Sequence, residues 1–340
     1  MNRKELDELI EHYQLTAHQV ERALALAHAR PTAPETSRFA IRALLLSGVL
    51  SLAAGIVFFI AANWSELRIM GRFVLTEGLL LVTLMLALWQ PPPRPLGRYA
   101  LFGAFMLVGA LLALFGQTYQ TGANIYELFL TWTALGLPLV IAGLWAPLWA
   151  AWVLVLNLAL GLFCGLRPEG GPIWFLFSAG WGTPTLLLIA TLANLALWAL
   201  AEILSQKVAA AVHLVPSSLR RLVLACAIGF ATWAGILAIL RFGPYPTQTD
   251  GWSVLWMLAI LAGVAAYTMR RRADVLPLML IASSIILVVM FAIGKNTGSG
   301  RMGRLEMALL VALWLIISSG AAARIIMKLL RTWRAAEQGA

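Results

Sequence analysis

Residues 128–166 read LFLTWTALGLPLVIAGLWAPLWAAWVLVLNLALGLFCGL, thirty-nine residues without a charge. As one helix this stretch would be about 58 Å long at about 1.5 Å per residue, roughly twice the ~30 Å hydrocarbon core of a bilayer. As the interior of a soluble protein it would need a polar shell that the chain does not possess. Of 340 residues, 61% are hydrophobic and 12% charged, whereas soluble domains carry about 25% charged residues. The stretch therefore divides into two membrane spans. Pro147, two residues after Trp145, marks the tight hairpin between them, because proline suits a helix start and interrupts a helix interior.

The same pattern extends in both directions. Apolar runs of span length alternate with short polar breaks at 41–63, 73–89, 99–116, 128–144, 148–166, 184–204, 221–240, 252–269, 276–294 and 305–326. The expected fold is all-α, a polytopic integral membrane bundle of about ten transmembrane helices. A stretch rich in Trp and Phe at 173–183 is expected at the membrane interface. The mean hydropathy of +0.84 agrees. It excludes disorder, collagen, a coiled coil and a disulfide-rich secreted fold. Cys164 and Cys226 both lie in apolar runs, where a disulfide is not expected.

Before the first span the chain is polar. Asn2 precedes Glu5 by three residues and Thr16 precedes Gln19 by three, two capping-box spacings that predict a small helical hairpin. Pro31 and Pro34 then form a linker. The expected organisation is a cytoplasmic hairpin and linker over 1–37, the helical bundle over 38–330 and a short cytoplasmic tail over 331–340. Nothing at the N-terminus looks like a cleavable signal, so the first span serves as the insertion signal.

The 25 Lys and Arg exceed the 15 Asp and Glu by ten. With the N-terminus inside, ten spans place 18 basic residues on the inner side and 7 on the outer. The excess is thus a positive-inside signal, with both termini cytoplasmic. No single solvated face collects it, which argues against a nucleic-acid partner. The loop containing Lys295, Arg301 and Arg304 is the exception, basic yet outside.

Short motifs in the first part of the chain carry a resemblance. The first span ends in Ala61-Ala62-Asn63-Trp64. The third is followed by Gly116-Gln117-Thr118-Tyr119-Gln120-Thr121-Gly122, with Trp132 and Pro138 beyond. Residues 1–150 resemble the bacterial membrane proteins grouped as domain of unknown function 2157. The resemblance implies a bacterial inner (cytoplasmic) membrane location and brings no established activity.

Few residues suggest chemistry. His12, His18, His28 and His213 show no helical metal-ligand spacing with a carboxylate, and neither a metal nor a cofactor is expected. The segment Gly294-Lys295-Asn296-Thr297-Gly298-Ser299-Gly300 looks like a phosphate loop. However, Val289 stands where that pattern needs glycine, and the segment follows an apolar span. No predicted span contains a histidine to serve as a catalytic base, so an enzyme is not expected.

Topology instead suggests an outward-facing polar pocket. Asn63, Trp64 and Glu66 of one loop would share the outer face with Gln117, Tyr119, Gln120 and Asn124 of another. Glu77 would lie about five residues below it in the second span, and an ionisable group inside a span is a functional-site hypothesis by default. Asn157 and Asn194, near the middle of the fifth and sixth spans, are expected to form a polar contact between helices. Two functions stay open: transport or lipid handling through that pocket, or an assembly or regulatory subunit docking a protein partner through its N-terminal hairpin. The bilayer is the expected environment in either case.

Overall fold

A computed structural model describes Thr16, Gln19 and residues 33–62, 68–119, 124–164, 184–207, 217–241, 248–271, 274–297 and 304–338. In these residues the chain forms ten helices and no strand. They are α1 (Ala33–Ala62), α2 (Ile69–Trp89), α3 (Pro95–Tyr119), α4 (Ile125–Gly143), α5 (Ala146–Phe163), α6 (Pro184–Lys207), α7 (Ser217–Arg241), α8 (Gln248–Arg271), α9 (Leu276–Thr297) and α10 (Arg304–Gln338). Each takes up one predicted span. Nine of them, α2 to α10, contain a window long and apolar enough to cross a membrane among the described residues. The protein is a multi-pass helical membrane protein.

The division of residues 128–166 falls where proline placed it. Helix α4 stops at Gly143, and Leu144 adopts a left-handed conformation (φ 43°, ψ 46°). Its N–H closes the helix on the Val140 carbonyl. Helix α5 then starts with Pro147 in its first turn. Pro138 lies inside α4 and, lacking an N–H, leaves the Ala134 carbonyl without its helical donor. One residue earlier, the Thr133 carbonyl accepts a 2.9 Å hydrogen bond from Trp152 Nε1 of α5. The tryptophan thus ties the hairpin together beside the interruption.

Two compact units divide the chain, Met1–Ala110 and Leu111–Ala340, with the boundary inside α3. In the first, Ala100, Leu101, Phe102, Ala104, Phe105 and Leu107 of α3 are buried. A Cβ on Gly103 of α3 would meet Thr83 of α2 and Val49 of α1 at ordinary van der Waals distance, so the three helices come together at this position. Tyr99 donates its hydroxyl proton to the Arg42 carbonyl of α1 at 3.2 Å. At the turn into α3, a Cβ on Gly97 would lie 2.0 Å from the Gln90 carbonyl oxygen, so only glycine fits.

The second unit is built around α7, whose most apolar window is 67% buried. Its sequence explains this position: Ala225, Ala227, Gly229, Ala231, Ala234, Gly235 and Ala238 keep much of its surface small, so neighbours approach closely. One core joins Leu224, Ile228, Ala231 and Ile236 of α7 to Met257, Leu261 and Val264 of α8 and to Ile281 and Val288 of α9. A second joins Ala234 and Leu237 to Leu187, Leu188 and Ala190 of α6. A third joins Leu219 and Val223 to Val153 of α5. Lipid is as apolar as leucine, so packing and polar contacts hold such helices together. Thr232 Oγ1 of α7 and Ser284 Oγ of α9 are 2.7 Å apart and buried, one such contact.

The phosphate-loop lookalike has a structural role. Helix α9 continues to Thr297, and Lys295 Nζ donates to the Ile239 carbonyl in the last turn of α7. A cation there satisfies an otherwise open carbonyl and the negative end of the helix dipole. This places Lys295, one member of the outer basic exception, in a helix cap.

Of the predicted hairpin, Thr16 and Gln19 are described. They form the expected capping box, with Thr16 N–H donating to Gln19 Oε1 at 2.9 Å and Gln19 N–H donating to Thr16 Oγ1 at 3.4 Å. The aromatic stretch at 173–183 lies outside the described residues. Helix α10 runs on to Gln338, so the residues expected as a tail from 331 continue the last helix.

Candidate functional site

The residues proposed for an outward-facing pocket have separate fates. Asn63, Trp64, Glu66 and Gln120 lie outside the described residues. Glu77 belongs to the first unit, on an exposed face of α2, about 12 Å along a helix that begins four residues before the predicted span. The buried ionisable side chain of α2 is Arg72, 8% exposed, which the sequence had placed at the flank of that span. Gln117 and Tyr119 of the second unit are exposed on the last turn of α3, where the Tyr119 ring lies 4.7 Å from that of Phe115. Asn124 precedes α4 and donates from Nδ2 to Glu127 Oε1 at 2.9 Å, within its own helix start.

Asn157 and Asn194 do not form the expected bond to each other. Asn157 Nδ2 donates to the Val153 carbonyl at 2.8 Å, and Asn194 Nδ2 to the Ala190 carbonyl at 3.0 Å. Each bond lies within its own helix, and both Oδ1 atoms are buried without a hydrogen-bond partner. The reason is local: four residues back, each side chain finds a backbone carbonyl within easy reach, as short polar side chains on helices do.

A polar site lies elsewhere, wholly within the second unit. A cavity of about 330 Å³ opens between the end of α6, the start of α7, the end of α8 and the start of α9. Successive helices reverse direction, so these four ends lie together. One wall is an ion pair between α7 and α6: Arg220 Nη1 donates to Glu202 Oε2 at 2.6 Å and to Ser205 Oγ at 2.9 Å. The other oxygen of Glu202 accepts from Gln206 Nε2 at 2.9 Å. The opposite wall is a second pair, Arg221 Nε to Asp274 Oδ2 at 2.6 Å. Asp274 Oδ1 also accepts the Leu276 N–H at 3.3 Å, which caps α9. Trp198 and Tyr267 line the cavity with rings edge to face, 5.1 Å apart.

Two guanidinium groups and two carboxylates thus face a space lined on one side by aromatic rings. The Glu202–Arg220 pair is about three-quarters buried, with exposures of 23% and 26%, and water screens it less than the Arg221–Asp274 pair at 47% and 28%. Arg220 Nε is buried and has no hydrogen-bond partner. Ser217, the first residue of α7, borders the cavity, so the positive end of that helix adds to its field. The volume suits a small polar molecule or a lipid headgroup. The arrangement offers donors for an anionic group, carboxylates for a cationic one and an aromatic wall for apolar carbon. Among the described residues no cluster of His, Cys, Asp and Glu could hold a metal ion.

The sequence held a signal for this site. Glu202, Arg220, Arg221 and Asp274 stand near the ends of successive predicted spans, and alternating direction brings those ends to one side.

Comparison with known proteins adds one match. Residues 7–149 match the family model described as Predicted membrane protein (DUF2157). This agrees with the resemblance carried by the Asn63-Trp64 and Gly116–Gly122 motifs. No curated protein matches the chain, and no solved structure does. The DUF2157 match spans α1 to α4 and the first residues of α5, so the cavity between α6 and α9 lies beyond it.

Proposed function

We propose that this chain is a non-enzymatic bacterial inner-membrane protein, with both termini cytoplasmic, that transports or handles a small amphiphilic molecule. The α6–α9 cavity is its ligand site. The observation that carries this reading is the cavity itself, with two ion pairs, an aromatic wall and an unpartnered Arg220 Nε in one space. A zwitterionic headgroup matches this alternation of charge, because each of its ends finds an opposite charge without leaving a net charge buried. The positive-inside count assigns the four helix ends to the cytoplasmic side.

Lipid extraction from protein purified in mild detergent, followed by mass spectrometry, tests the reading. The variant Ser217→Trp fills the mouth of the cavity from an exposed position and leaves both ion pairs in place. The expected result is a co-purifying amphiphile carried by the native chain and lost from the variant. Equal lipid content in both would contradict it.

A second reading is an assembly or regulatory subunit docking a protein through residues 1–37, with Glu77 as a separate contact inside the membrane. Glu77 is an exposed carboxylate within a span, and lipid gives such a group no partner. A neighbouring membrane protein would supply one. Deleting residues 1–37 separates the readings: a docking subunit loses its partner, whereas a lipid-handling core retains its bound amphiphile.

A further inference from the structure

Helix α10 is longer than a bilayer requires. Its 35 residues extend about 52 Å, whereas Leu305–Ala323 alone covers about 28 Å, close to the hydrocarbon thickness. From residue 324 the pattern changes. Arg324, Lys328 and Arg331 follow at i, i+4 and i+7, within about 60° of the helix circumference at ~100° per residue. All three are exposed, while Ile326, Leu329, Leu330 and Trp333 on other faces are half-buried. Between Glu306 and Glu337 the helix has no acidic residue, so nothing on α10 itself neutralises the stripe. The two carboxylates at the mouth of the cavity, Glu202 and Asp274, are engaged by Arg220 and Arg221.

The depth of the stripe follows from the helix pairing. Trp314 Nε1 of α10 donates to the Ile286 carbonyl of α9 at 3.1 Å. The two helices pack together and are joined by six residues, so they run antiparallel. Ten residues before Ile286 is Leu276, where α9 begins, and ten after Trp314 is Arg324. The stripe therefore starts at the level where α9 begins. From there Arg324 to Arg331 covers about 10 Å along the axis, close to the ~5–8 Å headgroup layer of one leaflet once side-chain reach is added. Ile325 and Met327, 61% and 50% exposed, flank the stripe with apolar surface suited to the acyl boundary.

We propose that Arg324, Lys328 and Arg331 form a binding surface for the anionic headgroups of membrane lipid. Charge complementarity selects the occupant. Three aligned cations at headgroup depth, beside exposed apolar side chains, match a phosphate-bearing lipid with its chains in place. The surface is separate from the α6–α9 cavity and does not depend on what that cavity holds.

Native mass spectrometry of the full-length protein in neutral detergent, titrated with phosphatidylglycerol or phosphatidylcholine, tests this. Phosphatidylglycerol should bind at least tenfold more tightly. Lys328→Gln should weaken it about fivefold, as expected for one basic residue near a membrane surface, and Lys328→Arg should restore it. Arg94→Gln, at an exposed arginine of the first unit, should leave it unchanged. Should Lys328→Gln fail to fold, Arg331→Gln carries the same expectation. Equal affinity for the two lipids, no loss in either stripe variant, or an equal loss in Arg94→Gln would overturn the proposal. So would a change in oligomeric mass with lipid affinity intact, since the stripe would then serve a second copy of the chain.

Discussion

Single positions with little freedom give the clearest tests. Gly97→Ala would set a Cβ 2.0 Å from a backbone oxygen, that of Gln90, which no rotamer change relieves. A destabilisation of about 1–3 kcal/mol is expected from such overpacking, seen as a lowered midpoint of thermal unfolding in detergent. Gly235→Ala meets Met257 Sδ at 2.2 Å, but a flexible methionine end can move, so the loss should be smaller. A reversed order would contradict this packing. Leu144 holds a left-handed conformation that costs a non-glycine residue about 1–2 kcal/mol. Its side chain is 45% exposed, so Leu144→Gly should raise the midpoint. In the cavity, Glu202→Gln leaves Arg220 partly buried without its counter-charge. A loss of about 1–2 kcal/mol is expected, discounted for its partial exposure, and replacing both residues by leucine should recover part of it.

At the scale of elements, the helices were legible and their cross-links were not. Each apolar run became a helix because, in lipid, a segment must satisfy its backbone hydrogen bonds internally. Pro147 marked the α4–α5 hairpin through its own backbone restriction, and Thr16 with Gln19 showed its cap through spacing alone. The roles of Lys295, Asn157 and Asn194 depend on what lies next to each side chain, which no periodicity records. Lys295 looked like part of a phosphate loop and caps α7 instead. Asn157 and Asn194 suggested a pair because both sit mid-span, yet each bonds the carbonyl four residues back. Glu202 was legible as a carboxylate near a span end, while its partner Arg220 follows only once α6 and α7 are adjacent. Lys295→Met should lower stability by about 1 kcal/mol through loss of the α7 cap. Hydrogen exchange in the last turn of α7 should rise with it, and unchanged protection there would contradict the cap.

Over the whole molecule, a net charge of +10 becomes a statement about sidedness. Helices α6 to α9 alternate in direction, which places the ends of α6 and α8 and the starts of α7 and α9 on one side. In the proposed orientation, with the greater number of basic residues inside, that side is cytoplasmic, and the cavity and the basic stripe of α10 would face the same leaflet. Cys164 is buried and Cys226 half-buried, which leaves a low background for thiol labelling. The decisive measurement is the labelling of Ser217→Cys, at the cavity mouth, by a membrane-impermeant maleimide. Intact spheroplasts should leave it unlabelled and inside-out vesicles should label it fully. Labelling in intact spheroplasts would place the cavity on the outer face and contradict the account.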